Sequence, residues 1–152
     1  MTVYFDSSAL VAVYVTEAYS GAARGELRKH VSVPWTPLHD LEVRNALRLL
    51  RGRGKISEGE LRGLLQHVDD DLTKGRLARH GVDLEAVFRR GVELSHRHAS
   101  KTLARTLDIL HVAALIEIGC TSLVSGDERQ IALAKTEGLS AVDIRARARR
   151  SS

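Results

Sequence analysis

Apolar positions along this chain follow two rhythms, and the switches between them outline its elements. Residues 2–5 (TVYF), 31–33 (VSV), 121–124 (TSLV) and 141–144 (AVDI) are short runs rich in β-branched and aromatic residues, which read as strands. The intervening stretches carry helical spacing. Residues 8–15 begin one helix and residues 20–29 (SGAARGELRK) form a polar-faced second. Pro34 and Pro37 close the second strand, and Pro37 suits the first turn of a third helix. That helix places Val43, Ala46, Leu47 and Leu50 on one stripe and stops at Gly52 and Gly54.

Ser57 with Glu60 is a capping-box pattern ahead of ELRGLLQHVDDDL. Residues 74–82 are basic and read as loop or a short edge strand. A long helix follows over residues 84–103. Residues 107–118 (LDILHVAALIEI) are apolar nearly all round, so that helix should be buried, with Gly119 as its C-cap. Residues 128–137 complete the helices, and the tail RARARRSS is expected to fray. Strands alternating with helices, without an Asn-Gly hairpin signal, indicate an α/β fold with a parallel sheet.

Two acids gain meaning from that fold. Asp6 and Asp127 each follow a strand at its carboxyl end, where open parallel sheets hold their ligands. Singly, both read as helix caps, and Asp127 with Gln130 matches a capping box. Asp108 stands in the first turn of the apolar helix, with His111 one turn on as a hydrogen-bonding neighbour. Glu42 lies beside the stripe of the third helix. If the four gathered, each pair about 5 Å apart would repel by roughly 3 kcal/mol at an effective dielectric of about 20. Such a cluster takes up protons or holds a cation, and its all-oxygen donors suit Mg²⁺ or Mn²⁺ rather than zinc.

Composition narrows the partners. The 152 residues suit one domain, expected over residues 1–146 with residues 147–152 as a basic tail. A net charge of +4 leans towards a polyanion, while 4% aromatic content argues against a surface that stacks several bases. One cysteine, Cys120, makes no internal disulfide, and no apolar run is long enough for a membrane span, so the cytoplasm is expected. HExxH and CxxC motifs are absent. RGRGKIS lacks the first glycine of a phosphate-binding loop and follows a helix rather than a strand.

In order, YFDSSAL, LEVRNAL, RTLDILHVAAL and LVSGDERQIALAKTEGL resemble the PIN-domain family, and within it the VapC-type toxins of toxin–antitoxin pairs, over about residues 2–144. The resemblance implies a three-layer α/β/α domain with a small parallel sheet, acting as an endoribonuclease dependent on Mg²⁺ or Mn²⁺. It implies Asp6, Glu42, Asp108 and Asp127 as the four catalytic acids and metal ligands, supported by Ser8 and Ser125. Asp6 and Asp108 would ligate directly, Asp127 directly or through water, and Glu42 would hold a second ion or orient the attacking water. Gly126 departs from the bulkier residue common at its position.

An RNA substrate, a cognate antitoxin and a homodimer are likewise implied. Residues 20–29 and 38–50 are candidates to form the groove for an antitoxin helix. Arg44, Arg51, Arg53, Lys55, Arg76, Arg79, Arg105 and Arg129 are candidate phosphate contacts. The alternatives are a PIN nuclease of RNA processing or repair, and a phospho-receiver module. The receiver reading lacks paired acids after the first strand and a lysine after the last.

Overall fold

The structure is a computed structural model and describes residues 2–150. Its core is a parallel sheet of β1 (Val3–Phe5), β4 (Ser122–Ser125) and β5 (Ser140–Asp143), in the order β1-β4-β5. Val3 pairs with Ser122, Tyr4 with Leu123 and Phe5 with Val124. A second parallel pair joins β2 (Val33–Trp35) to β3 (Leu77–Arg79). The helices are α1 (Ser7–Tyr14), α2 (Ser20–Leu27), α3 (Pro37–Gly52), α4 (Glu58–Thr73), α5 (Leu84–Thr102), α6 (Thr106–Glu117), α7 (Glu128–Thr136) and α8 (Ile144–Arg150).

Alternation along the strands separates two cores. Val3, Phe5 and Val124 face one side and join Leu10, Leu27, Val43, Leu47 and Val68 of α1 to α4. Tyr4 and Leu123 face the other, against Val87, Leu94, Val112, Leu115 and Leu133 of α5 to α7. Because successive side chains on a strand point to opposite faces, a three-residue strand suffices to serve both layers. The result is an α/β/α sandwich. From Asp108 to Leu115, α6 is buried without interruption, as its all-round apolar sequence requires.

Two elements differ from the sequence reading. Pro34 lies inside β2 instead of closing a strand before it. Val33 N donates to Arg76 O and Trp35 O accepts from His80 N, so Pro34 points away from β3, where its missing N–H costs nothing. The tail RARARRSS, residues 145–152 and expected to fray, is instead helical as α8 through Arg150. Asp143 Oδ1 caps its start, accepting from Arg145 N at 2.8 Å and Ala146 N at 3.2 Å. Arg147 then pairs with the buried Glu26 of α2, which ties α8 to the domain. Ser151 and Ser152 lie outside the described residues.

The capping box of α4 forms as expected, with Ser57 N donating to Glu60 Oε2 at 2.6 Å and Glu60 N to Ser57 Oγ at 3.1 Å. Gly119 ends α6 at a φ of 77°, a left-handed position that favours glycine. The candidate groove helices α2 and α3 each pack on α1. Among the described residues, no helix is long and apolar enough to cross a membrane.

Candidate functional site

Parallel pairing of β1 with β4 brings Asp6 and Asp127 to the same sheet edge, as the strand-end rule predicts. Asp6 N donates to Val124 O at 3.0 Å, so the first acid is stitched to β4 at the backbone. Its carboxylate is 3% exposed. Oδ1 accepts from Ala9 N at 2.8 Å and from Ser8 Oγ at 2.8 Å, and Oδ2 accepts from Ser125 Oγ at 2.6 Å. Asp6 is therefore a helix cap and more than that: Oδ1 caps α1, while Oδ2 meets Ser125 of β4 and, at 3.0 Å, Ser8 Oγ as well.

Burial pushes the Asp6 carboxyl above its ordinary pKa, against the pull of Ser125, His111, Ala9 and Ser8. Among the described residues only neutral groups donate to it. A carboxylate so placed is short of positive charge.

Asp127 caps α7, its Oδ1 accepting from Arg129 N at 2.9 Å and Gln130 N at 3.2 Å. The reciprocal half of the expected capping box is missing. Gln130 turns inward instead, its Nε2 donating to Asp108 O at 3.4 Å and its Oε1 accepting from Ser125 Oγ at 3.3 Å. Buried Gln130 thus couples α6 to α7 beneath the acids, a role that its capping position disguised.

Asp108 is buried and closes a capping box of its own, its Oδ2 accepting from Arg105 N at 2.9 Å. The exposed Arg105 guanidinium spans two acids, with Nε 3.4 Å from Asp108 Oδ2 and Nη2 3.2 Å from Asp127 Oδ2.

Glu42 takes a third position. Ser7 Oγ donates to its Oε2 at 3.0 Å, and His111 Nε2 makes a short contact with the same oxygen. Burial alone would raise the Glu42 pKa. The hydrogen bond and charge of His111, with the Ser7 hydroxyl, outweigh it and hold the group below the usual glutamate value. His111 Nδ1 lies 2.7 Å from Tyr4 OH while its Nε2 faces Glu42, so the ring bridges the two side chains. Ser7 and Glu42 meet the same ring nitrogen, which rules out the relay order of a Ser–His–acid triad.

His39 completes this interior. It accepts from Thr36 N at Nδ1 and lies 2.7 Å from Phe5 O at Nε2, and burial with the nearby His111 lowers its pKa to about 3. A neutral His39 thus pins β2 and α3 to the end of β1. Spacing in the sequence indicated neither His39 nor Ser7; the Ser-Ser pair after Asp6 was the available signal for Ser7.

The expected pit of four acids takes a different form. Among the described residues, no group of three or more His, Cys, Asp or Glu side chains is set to hold a metal ion. The physical reason is that each acid already has donors of its own: serine hydroxyls at Asp6, Arg105 at Asp108 and Asp127, His111 and Ser7 at Glu42. In donor chemistry the residues still fit a hard divalent cation. Asp6 presents carboxylate oxygens that meet only neutral donors among the described residues, and Asp127 and Asp108 share an exposed arginine. A cleft of about 320 Å³ opens there, lined by Arg105, Gly126, Asp127, Arg129 and Arg145.

The fold is PIN-like, and solved structures bear on it. The crystal structure of FitAcB from Neisseria gonorrhoeae superposes with a TM-score of 0.67, covering 94% of this chain and 98% of that one, at 11% sequence identity. Identity that low speaks for the fold alone. The sequence matches no family model and no curated protein.

Proposed function

We propose that this chain is a divalent-metal-dependent endoribonuclease and the toxin of a toxin–antitoxin pair, active in the cytoplasm. The observation that carries the reading is Asp6: a buried carboxylate at the carboxyl end of β1, oriented by the serines Ser8 and Ser125 and met only by neutral donors among the described residues. The order of motifs resembling VapC-type toxins and the PIN-like sandwich support it. Asp6 and Asp108 would hold Mg²⁺ or Mn²⁺ directly, Asp127 directly or through water, and Glu42 would hold a second ion or orient the attacking water. When bound, the ion supplies a more acidic water and neutralises phosphodiester oxygens.

The chain's own residues do the rest. Ser8, Ser125 and Ala9 N fix the orientation of the Asp6 carboxylate, with Ser8 Oγ reaching both of its oxygens. His111 and Ser7 keep Glu42 charged, so it can accept a hydrogen bond from the attacking water. Arg129 and Arg145, on the cleft beside Asp127, meet phosphates without reading bases.

Two partner surfaces go with this reading. An apolar cleft of about 490 Å³ lined by Tyr14, Val15, Leu50, Ile56 and Leu64 suits the side chains of an antitoxin helix. Leu84, Phe88, Val92, Leu103 and Leu107 stand exposed on and around α5, and a second copy of this chain is the occupant we assign to them.

The test is cleavage of total RNA by purified wild type with Mg²⁺, Mn²⁺ or excess chelator, beside Asp6→Asn. Metal-dependent cleavage that the variant lacks is expected. Undiminished cutting in chelator, or by Asp6→Asn, sinks the proposal.

A further inference from the structure

A second cluster of charge lies at the far end of α1 from Asp6, about 12 Å along the helix by its rise per residue. A cleft of about 530 Å³ there is walled by Tyr14, Arg28, Asp71, Lys74 and Arg76 among others. A lobe of about 490 Å³ shares Arg28, Asp71, Lys74 and Arg76 with it and adds His30. Three elements supply the cations: Arg28 follows α2, Lys74 follows α4, and Arg76 precedes β3.

The protein neutralises these cations only in part: Arg24, Arg28, Lys74 and Arg76 share the cleft with two carboxylates, Asp70 and Asp71. Among the described residues, the side chains of Arg28, Lys74 and Arg76 make no ion pair and no hydrogen bond. The acids beside them are engaged elsewhere: Asp71 accepts from Tyr14 OH at 2.7 Å and Asp70 from Gln66 Nε2 at 2.9 Å. Arg24 is committed to the carbonyls of Val13 and Val15, which end α1. Arg76 Nε is shut off from solvent with no hydrogen-bond partner among the described residues, whereas His30 Nε2 lies 3.8 Å from Glu26 Oε1. A buried donor left unmade is costly, and native proteins keep few of them.

Helix dipoles account for part of this. Cations favour the carbonyl ends of helices, which suits Arg28 and Lys74. Arg76 stands outside any helix, and its unused Nε has no such explanation. Two guanidinium forks and an ammonium on one cleft match an anion with several oxygens in a tetrahedral array, whereas a carboxylate offers two in a plane. The volume falls in the range of small-molecule sites, about 300–1,000 Å³. The half-buried Tyr14 ring on its wall offers a face on which a base can stack.

We propose that this cleft is an oxyanion site for phosphate groups, carried by a free nucleotide or by an RNA strand, separate from the four acids. Binding is measured in chelator and needs no cleavage, so failure here and failure of the nuclease reading are told apart.

The experiment titrates the full chain with inorganic pyrophosphate, with adenosine monophosphate and with a short single-stranded RNA, following backbone amides by NMR. The comparison is Arg28→Gln/Lys74→Gln, both exposed side chains, with melting temperature as the folding control. Pyrophosphate is expected to shift the amides of Arg28, Lys74 and Arg76, and the double variant to bind it at least about tenfold more weakly. Equal response to the mononucleotide identifies a nucleotide site. Tight binding of the RNA alone, with a salt slope lower by about 1.4 in the double variant, identifies a strand. The proposal is overturned if no probe moves those amides, or if variant and wild type bind alike.

Discussion

Ser125 Oγ donates to Asp6 Oδ2 at 2.6 Å across 119 residues of sequence, the contact that joins the first acid to the strand carrying the last. Its Oγ also accepts from Asp127 N at 2.9 Å, so one hydroxyl holds both acids in register. Replacing either partner therefore tests the site as a unit.

Asp6→Asn removes the charge while keeping an oxygen for Ala9 N. Cleavage should fall by a factor on the order of a hundred or more. Stability should move the other way in chelator. Folding raises the Asp6 pKa, so its contribution to stability is present at low pH and lost as pH rises through the folded value. The variant should melt higher than wild type at neutral pH, and the gain should shrink as pH falls towards the unfolded value. Calorimetric melting at several pH values checks this.

Tyr4→Phe deletes the hydroxyl that bonds His111 Nδ1 and leaves that buried nitrogen without this partner. A cost of about 1–3 kcal/mol is expected. Because His111 then holds Glu42 less firmly, kcat should drop with KM little changed. Urea unfolding and steady-state cleavage report the two effects separately.

Glu26→Gln tests whether α8 belongs to the domain. Glu26 is buried. Burial opposes its charge, but Lys29, Arg147 and His30 outweigh that and hold its pKa below the ordinary value. A depressed carboxyl stabilises above its unfolded pKa and ceases to as pH falls through the folded one. The variant should lose about 1–3 kcal/mol at neutral pH, with the two unfolding curves converging in acid. Hydrogen exchange should speed up in α8 before the sheet.

Gly126→Ala should be tolerated, within about 1 kcal/mol and towards greater stability. An added Cβ would sit 3.4 Å from Ile144 and 3.6 Å from Ser8 Oγ, ordinary contact distances. The departure at Gly126 leaves the loop between Ser125 and Asp127 well packed. Thermal melting decides it.

Val92→Glu puts a charge in the exposed apolar stripe of α5, where Val92 is 70% exposed. If two copies meet there, the variant should sediment as a monomer with its melting temperature nearly unchanged. A wild type already monomeric at high concentration would falsify the assignment.

Much of this chain was legible from local pattern. The apolar sequence of α6 required a buried helix, Ser57 and Glu60 announced their own cap, and strand–helix alternation called for parallel pairing, because each of these depends on neighbours a few residues apart. The end of β2 was misread, since a proline is excluded from a strand only where its nitrogen faces a partner, and that partner lies more than forty residues on. The tail was misread for the same reason: α8 depends on the buried carboxylate of Glu26, far away in sequence.

The candidate site divides along the same line. The places of Asp6, Asp108 and Asp127 at strand and helix ends follow from sequence, because caps and strand ends are local, and Glu42 follows only as a residue beside the stripe of α3. Their electrical environment is tertiary. That Asp6 meets only neutral donors, that Arg105 spans Asp108 and Asp127, and that His111 rather than a second acid answers Glu42 all depend on which faces α3, α6 and α7 turn to the sheet edge. Charge interactions act through space at a few ångströms, and packing alone brings together groups that the chain holds a hundred residues apart.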